Sequence, residues 1–179
     1  KHKTMGQYYK PCILGGNKKT VKAWMYSHEY DNGLKLMEHS YIGNSFVSAF
    51  ESLIKNIPQR VVWAGDYADD CKGRKTNLYE RCKDTEKANP TERFSTPETR
   101  YIVNHTKKQF VDKFSVPEIS DWKGTKIHPL PLLTCEGNGR GGGDFRGENQ
   151  YVGTWARDVI SVESKKPIGY AEIKPDFAE

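Results

Sequence analysis

Short runs of alternating apolar and polar residues dominate the chain. Gln7–Leu14 is β-prone and stops at Gly15-Gly16-Asn17. Lys19–Tyr26 then alternates Val21, Ala23 and Met25 with Thr20, Lys22, Trp24 and Tyr26, so the two runs predict a hairpin about a Gly-Asn turn. Phe46, Phe50, Leu53 and Ile54 recur at i, i+4, i+7 and i+8, one stripe of a 3.6-residue period. They predict a helix over about 43–56, capped by Asn44 or Ser45 and stopped by Pro58. Arg60–Gly65 is too short and too β-branched for a helix and reads as a buried strand. Arg100–Asn104 and Gln109–Lys113 flank His105–Lys108 as a second hairpin, and Leu130–Cys135, held extended by Pro129 and Pro131, is expected to be another strand. Val152–Glu163 ends in a strand, and Tyr170–Ile173 is expected to pair at an edge. Many short strands with one clear helix, and no regular β-α alternation, predict an α+β fold: a mainly antiparallel sheet packed against the 43–56 helix.

Residues 66–98 break this pattern. They hold fourteen charged residues before Pro97, few aliphatics, and breakers at Gly73, Pro90 and Pro97. So long an irregular stretch is uncommon in a compact domain and marks a charged loop or excursion, with Asn77–Lys87 as a short helix inside it. The 179 residues are expected to form a single domain. Aromatics at 12% are frequent enough to fill a core, which excludes a wholly disordered chain. No apolar run approaches the ~20 residues of a membrane span, and no apolar region follows the basic first residues as a secretory signal would require. The cytoplasm is the expected compartment.

The net charge of +5 is unevenly placed. Six lysines and no acid lie in residues 1–22, leaving 22 basic against 23 acidic residues in the rest. A neutral body argues against general nucleic-acid binding, which spreads positive charge along a face. Of the cysteines, Cys12 and Cys135 sit in apolar surroundings as buried thiols, and Cys71 and Cys82 could bridge a polar loop. No pair has the close spacing of zinc ligands, so no structural zinc site is expected.

Candidate chemistry concentrates late in the chain. Six of the eleven residues from Gly137 to Gly147 are glycine. Glycine is costly to order, so a cluster needs a reason: flexibility of a surface loop, or close approach to a ligand. Successive backbone N–H groups of Gly139, Arg140, Gly141, Gly142 and Gly143 could form an anion-binding nest, with Arg140 and Arg146 adding bidentate contacts to a phosphate and Asp144 accepting from a ribose hydroxyl. The formal dinucleotide fingerprint here is not followed by the helix it needs. Arg157 beside Asp158 reads either as an ion pair bracing this stretch or as a ligand contact, and Tyr8, Trp63, Tyr67 and Trp155 are aromatics that could stack on a base. His39, Asp66 and His105 have the residue types of general acid–base catalysis, and Asp66, Asp69 and Asp70 could ligate Mg²⁺ through oxygen. Turns, caps and satisfied structural histidines are the plainer explanation of each.

Met5–Lys10, Gly33–His39, Trp63–Tyr67, Asn104–Lys108, Gly137–Asp144 and Gly153–Asp158 together resemble a family of small proteins of gut bacteria and phages whose members begin near MGQYYK. The resemblance covers most of the chain outside residues 72–98 and implies a natural start at Met5, with Lys1–Thr4 a remnant before it. It carries no catalytic assignment. It implies a phage-type accessory protein that counters host defence, by binding a nucleotide-like signal or by covering a host defence protein. The expected function is thus binding of a phosphate-containing small molecule. The alternatives are protein–protein inhibition through residues 66–98 and the basic amino end, and a hydrolase or nuclease using His39, His105 and Asp66.

Overall fold

Val61–Ala64 is apolar at successive positions because both faces of that strand are covered. A computed structural model describes residues 7–137, 144–147 and 149–178. In it the strand is β3 (Gln59–Gly65), where Val61 and Trp63 enter one core while Val62 and Ala64 enter another. A strand buried on both sides loses the polar alternation of a half-exposed one.

Around β3 the described residues build one mixed, mostly antiparallel sheet. β1 (Tyr9–Leu14) pairs with β3 along its whole length, and β2 (Val21–Trp24) closes the first hairpin. On the far side are β4 (Tyr101–Asn104), β5 (Gln109–Asp112), β6 (Cys135–Glu136), β7 (Val159–Glu163) and β8 (Ala171–Glu172). The order is β2-β1-β3-β7-β4-β5-β8. β7 and β6 share the second flank of β3: β7 runs antiparallel at Gln59–Arg60, and β6 runs parallel at Trp63–Ala64. The two predicted hairpins and the edge pairing of β8 are present; β8 lies parallel to β5.

Four α-helices are described: α1 (Leu36–His39), α2 (Ser45–Ile54), α3 (Leu78–Arg81) and α4 (Pro129–Thr134). α2 is the longest. Asn44 caps it by accepting from the N–H groups of Phe46 and Val47 at 2.9 and 3.2 Å. Its stripe of Phe46, Phe50 and Ile54 packs into the larger core with Trp63, Ile102, Leu133, Trp155 and Ile160.

Leu130–Cys135 is mostly helix, which corrects the expected strand. Pro129 and Pro131 fall in the first turn of α4, where an N–H has no partner inside the helix, so proline costs little there. The Leu130 N–H between them donates to His128 Nδ1 at 3.1 Å. Only Cys135 continues into β6.

The 66–98 stretch is irregular over most of its length, yet it closes the second face of the sheet. Cys71, Leu78 and Cys82 pack against Cys12, Leu14, Val21, Val62 and Ala64. Lys10 is held between the Trp24 and Tyr79 rings, and Trp24 Nε1 donates to the Thr85 carbonyl at 2.8 Å.

One charge cluster is buried. Lys113 reaches Glu51 Oε2 at 2.5 Å and Thr99 Oγ1 at 2.8 Å, and His128 Nε2 lies 3.1 Å from Glu51 Oε1. Because His128 Nδ1 accepts from Leu130, Nε2 carries the proton and donates to Glu51. Burial alone would raise the Glu51 carboxyl; the Lys113 ammonium and His128 together hold it below the usual carboxylate range.

Candidate functional site

The parallel pairing of β3 and β6 sends two chain segments out at the same end of the sheet: Asp66–Tyr67 from β3 and Gly137 from β6. β1 runs the other way, so Tyr8 and Tyr9 begin there too, with Tyr9 opposite Gly65. The Tyr8 N–H donates to Asp66 Oδ1 and the Asp66 N–H to the Tyr8 carbonyl, both at 3.0 Å. The Asn77 side-chain amide donates to the Asp66 and Ala68 carbonyls at 3.1 and 3.0 Å, fixing the turn that carries Tyr67.

Two glycines meet here, Gly65 against main chain and Gly137 against the Gln7 and Tyr9 side chains. A Cβ on Gly65 would lie 2.7 Å from the Glu136 carbonyl oxygen, and one on Gly137 would lie 2.2 Å from Gln7 Oε1 and 3.0 Å from the Tyr9 hydroxyl. The chain returns to the described structure at Asp144, whose Oδ1 accepts from the Met37 N–H at 2.9 Å. Burial raises the Asp144 carboxyl. Burial, with the nearby charges of Cys135, Asp144 and Asp66, raises the Tyr9 phenol. Burial and the Asp144 charge raise Tyr41. Lys35 bridges to Tyr8 and its charge acts on Asp144, so a cation borders the same end. Tyr41 packs against the exposed Trp122 ring at 6.0 Å. Lys35, Tyr41 and Trp122 carry no sequence signal toward this place; only the packing of the α1 region and of the 117–126 loop brings them near it.

The sequence candidates fall into three groups. Gly139, Arg140, Gly141, Gly142 and Gly143 lie outside the described residues. Asp66 and Asp144 both lie near the Tyr9 phenol at the end of β3 and β6, with Tyr67 next to Asp66 along the chain, and Arg146 follows Asp144 two residues on as an exposed side chain with no ion pair among the described residues. The remaining candidates are committed elsewhere. Arg157, at φ 68°, grips Glu136 with two guanidinium nitrogens, one at 2.8 Å, and donates to the Lys18 carbonyl at 3.0 Å. That pairing raises the Arg157 pKa and makes the residue a brace just ahead of Gly137 rather than a presented ligand contact. Trp63 and Trp155 are fully buried, so neither ring can stack on a ligand.

His39, His105 and Asp66 do not converge. His39 is inside the core, with Nδ1 3.0 Å from the Gly33 carbonyl and Nε2 3.0 Å from Trp63 Nε1. Burial lowers its pKa to about 4. His105 bonds the Val159 carbonyl through its N–H, beside the start of β3, whereas Asp66 follows the last residue of that strand. At ~3.3 Å per residue the two ends are about 20 Å apart. His105 Nε2 is 2.7 Å from Ser161 Oγ, and Nδ1 is 2.9 Å from the Tyr170 hydroxyl. The Ser161 proton goes to Glu163 Oε2 at 3.0 Å, so His105 is not placed as its base.

Asp69 and Asp70 are exposed, and among the described residues no three His, Cys, Asp or Glu side chains are placed to hold a metal. No helix among them is long and apolar enough to cross a membrane. Compared with family models, curated proteins and solved structures, the chain finds no match in any of the three.

Proposed function

We propose that the protein binds a phosphate-bearing small molecule of nucleotide type at the end of the sheet where β3 and β6 run out together. The observation that carries this reading is the anchoring of the glycine-rich stretch. Its first residue, Gly137, is packed against the Gln7 and Tyr9 side chains, and the chain resumes at Asp144, tied to the α1 main chain. In sequence, Gly137 and Asp144 are joined by six residues, four of them glycine and one Arg140. Backbone N–H groups unscreened by side chains suit an anion. Arg146 supplies a cation, and Tyr67, Tyr8 and Trp122 are the aromatics exposed enough to meet a base. Arg157 holds Glu136 and through it the start of the stretch. In the phage-type setting that the motifs suggest, sequestering a nucleotide signal would counter host defence.

Titration calorimetry of the folded chain against mono-, di- and triphosphates, cyclic dinucleotides and ADP-ribose tests this. Saturable heat from at least one compound is expected, lost when Gly141, Gly142 and Gly143 are replaced by alanine. No heat anywhere in the panel overturns the reading.

A further inference from the structure

Cys12 and Cys82 come from segments separated by 70 positions, and their sulfurs lie 3.3 Å apart. Neither residue has any exposed surface. Cys12 reaches this place because β1 alternates: Cys12 and Leu14 face the smaller core, with Val62 and Ala64 beside them. Cys82 arrives at the end of α3, where its thiol donates to the Leu78 carbonyl at 3.3 Å. All four cysteines are free thiols in this structure. A disulfide needs the sulfurs at about 2.05 Å, so closing this pair takes a sulfur–sulfur movement of about 1.2 Å.

We propose that Cys12 and Cys82 are a reversible disulfide pair that staples the 66–98 segment to the sheet. The other two thiols have other neighbours. Cys71 shares the smaller core, but its sulfur faces the Arg157 guanidinium at 3.9 Å. Cys135 belongs to the larger core and donates to the Leu132 carbonyl at 3.3 Å. A Cys71–Cys82 bridge within the polar stretch, which spacing alone allows, is therefore not the one the fold prepares.

The oxidant in this chemistry is a low-molecular-weight disulfide such as glutathione disulfide. Its S–S bond breaks as the Cys12–Cys82 bond forms. The two protein thiols give up two electrons and two protons, and two glutathione thiols leave, by way of a mixed disulfide on one cysteine. Exchange requires a thiolate. Burial and the neighbouring sulfur push the Cys12 thiol well up, so the closed fold is unreactive and the bond forms as the segment folds or opens. Reduction, like oxidation, proceeds as the segment opens. The staple also steadies the α3 region, whose Asn77 holds the turn after β3.

The test uses the full chain, refolded from denaturant in a mixture of reduced and oxidised glutathione. The expected product has lost two of its four thiols and about 2 Da. Its digest links the Cys12 and Cys82 peptides, and it melts several degrees higher than the same sample after dithiothreitol. Cys71→Ala and Cys135→Ala variants still lose two thiols; Cys12→Ala and Cys82→Ala lose none. Four free thiols in the refolded wild-type chain, or a bond that runs through Cys71, overturns the proposal, and neither reading depends on a variant that folds.

Discussion

Trp63 donates its indole N–H to His39 Nε2 at 3.0 Å in a core where neither ring is exposed. The bond fixes the tautomer: Nε2 accepts, so Nδ1 carries the proton and donates to the Gly33 carbonyl at 3.0 Å. A buried imidazole with both nitrogens engaged has no room for a second proton.

Acid is therefore expected to act through His39. Its folded pKa of about 4 is below its ordinary 6.5. Between those values the unfolded chain binds the proton and the folded one does not, so stability falls as pH drops through that window. The full effect is about 3 kcal/mol. His128, also lowered by burial, adds in the same direction. Urea unfolding at a series of pH values should show this slope, and His39→Gln, which keeps one donor and one acceptor, should flatten it. Equal slopes for the two proteins would remove His39 from the acid response.

The buried Glu51–Lys113 pair gives the second expectation. Replacing Lys113 with Met leaves the Glu51 carboxylate with His128 alone in a buried site. Breaking such a pair costs about 3–5 kcal/mol. Adding Glu51→Gln to Lys113→Met should recover a substantial part, because no uncompensated charge remains. Chemical denaturation of the two variants decides it: a loss under about 1 kcal/mol for the single change would mean that water or main-chain groups already support Glu51.

These interactions show where sequence stops being legible. The hairpins and α2 follow from local periodicity, and β3 from a short, β-branched apolar run. Leu130–Cys135 did not follow, because an all-apolar run has no period and prolines in a first turn look the same as prolines entering a strand. β6 is two residues long and exists only because β3 leaves a flank open beside it. The site is legible in part. Asp66 and Asp144 both come near Tyr9, but the fate of Arg157 depends on Glu136, which is 21 positions away. Trp63 and Trp155 looked available for stacking until packing buried them. Pairings of that separation are products of topology, which no window of neighbouring residues contains.

Gly65 offers a third expectation. A Cβ there meets the Glu136 main-chain oxygen at 2.7 Å, and a backbone atom cannot rotate away. Gly65→Ala should push β6 from β3 and cost about 1–3 kcal/mol. Gly16→Ala is the control, since a Cβ at Gly16 meets nothing within 4 Å and the residue is exposed. That change should stay within about 0.5 kcal/mol. Thermal melts of both distinguish a steric requirement at the sheet end from a general glycine effect; equal losses would discount the close packing.

Arg146 and Arg157 are the same residue type in opposite circumstances, and the contrast gives the last expectation. Arg157 is bound to Glu136 and the Lys18 carbonyl, so its removal should lower stability. Arg146 is exposed and makes no ion pair among the described residues, so its removal should leave the melting temperature unchanged. A charged hydrogen bond to phosphate contributes about 1.5–3 kcal/mol, so Arg146→Ala should weaken binding of ADP or ADP-ribose by about ten- to a hundredfold. Raising salt should narrow the gap between wild type and variant, because the lost contact is largely electrostatic. Calorimetry at two salt concentrations, alongside melts of both arginine variants, separates the roles. Unchanged affinity in Arg146→Ala with undiminished binding in the wild type would place the phosphate away from this arm of the stretch.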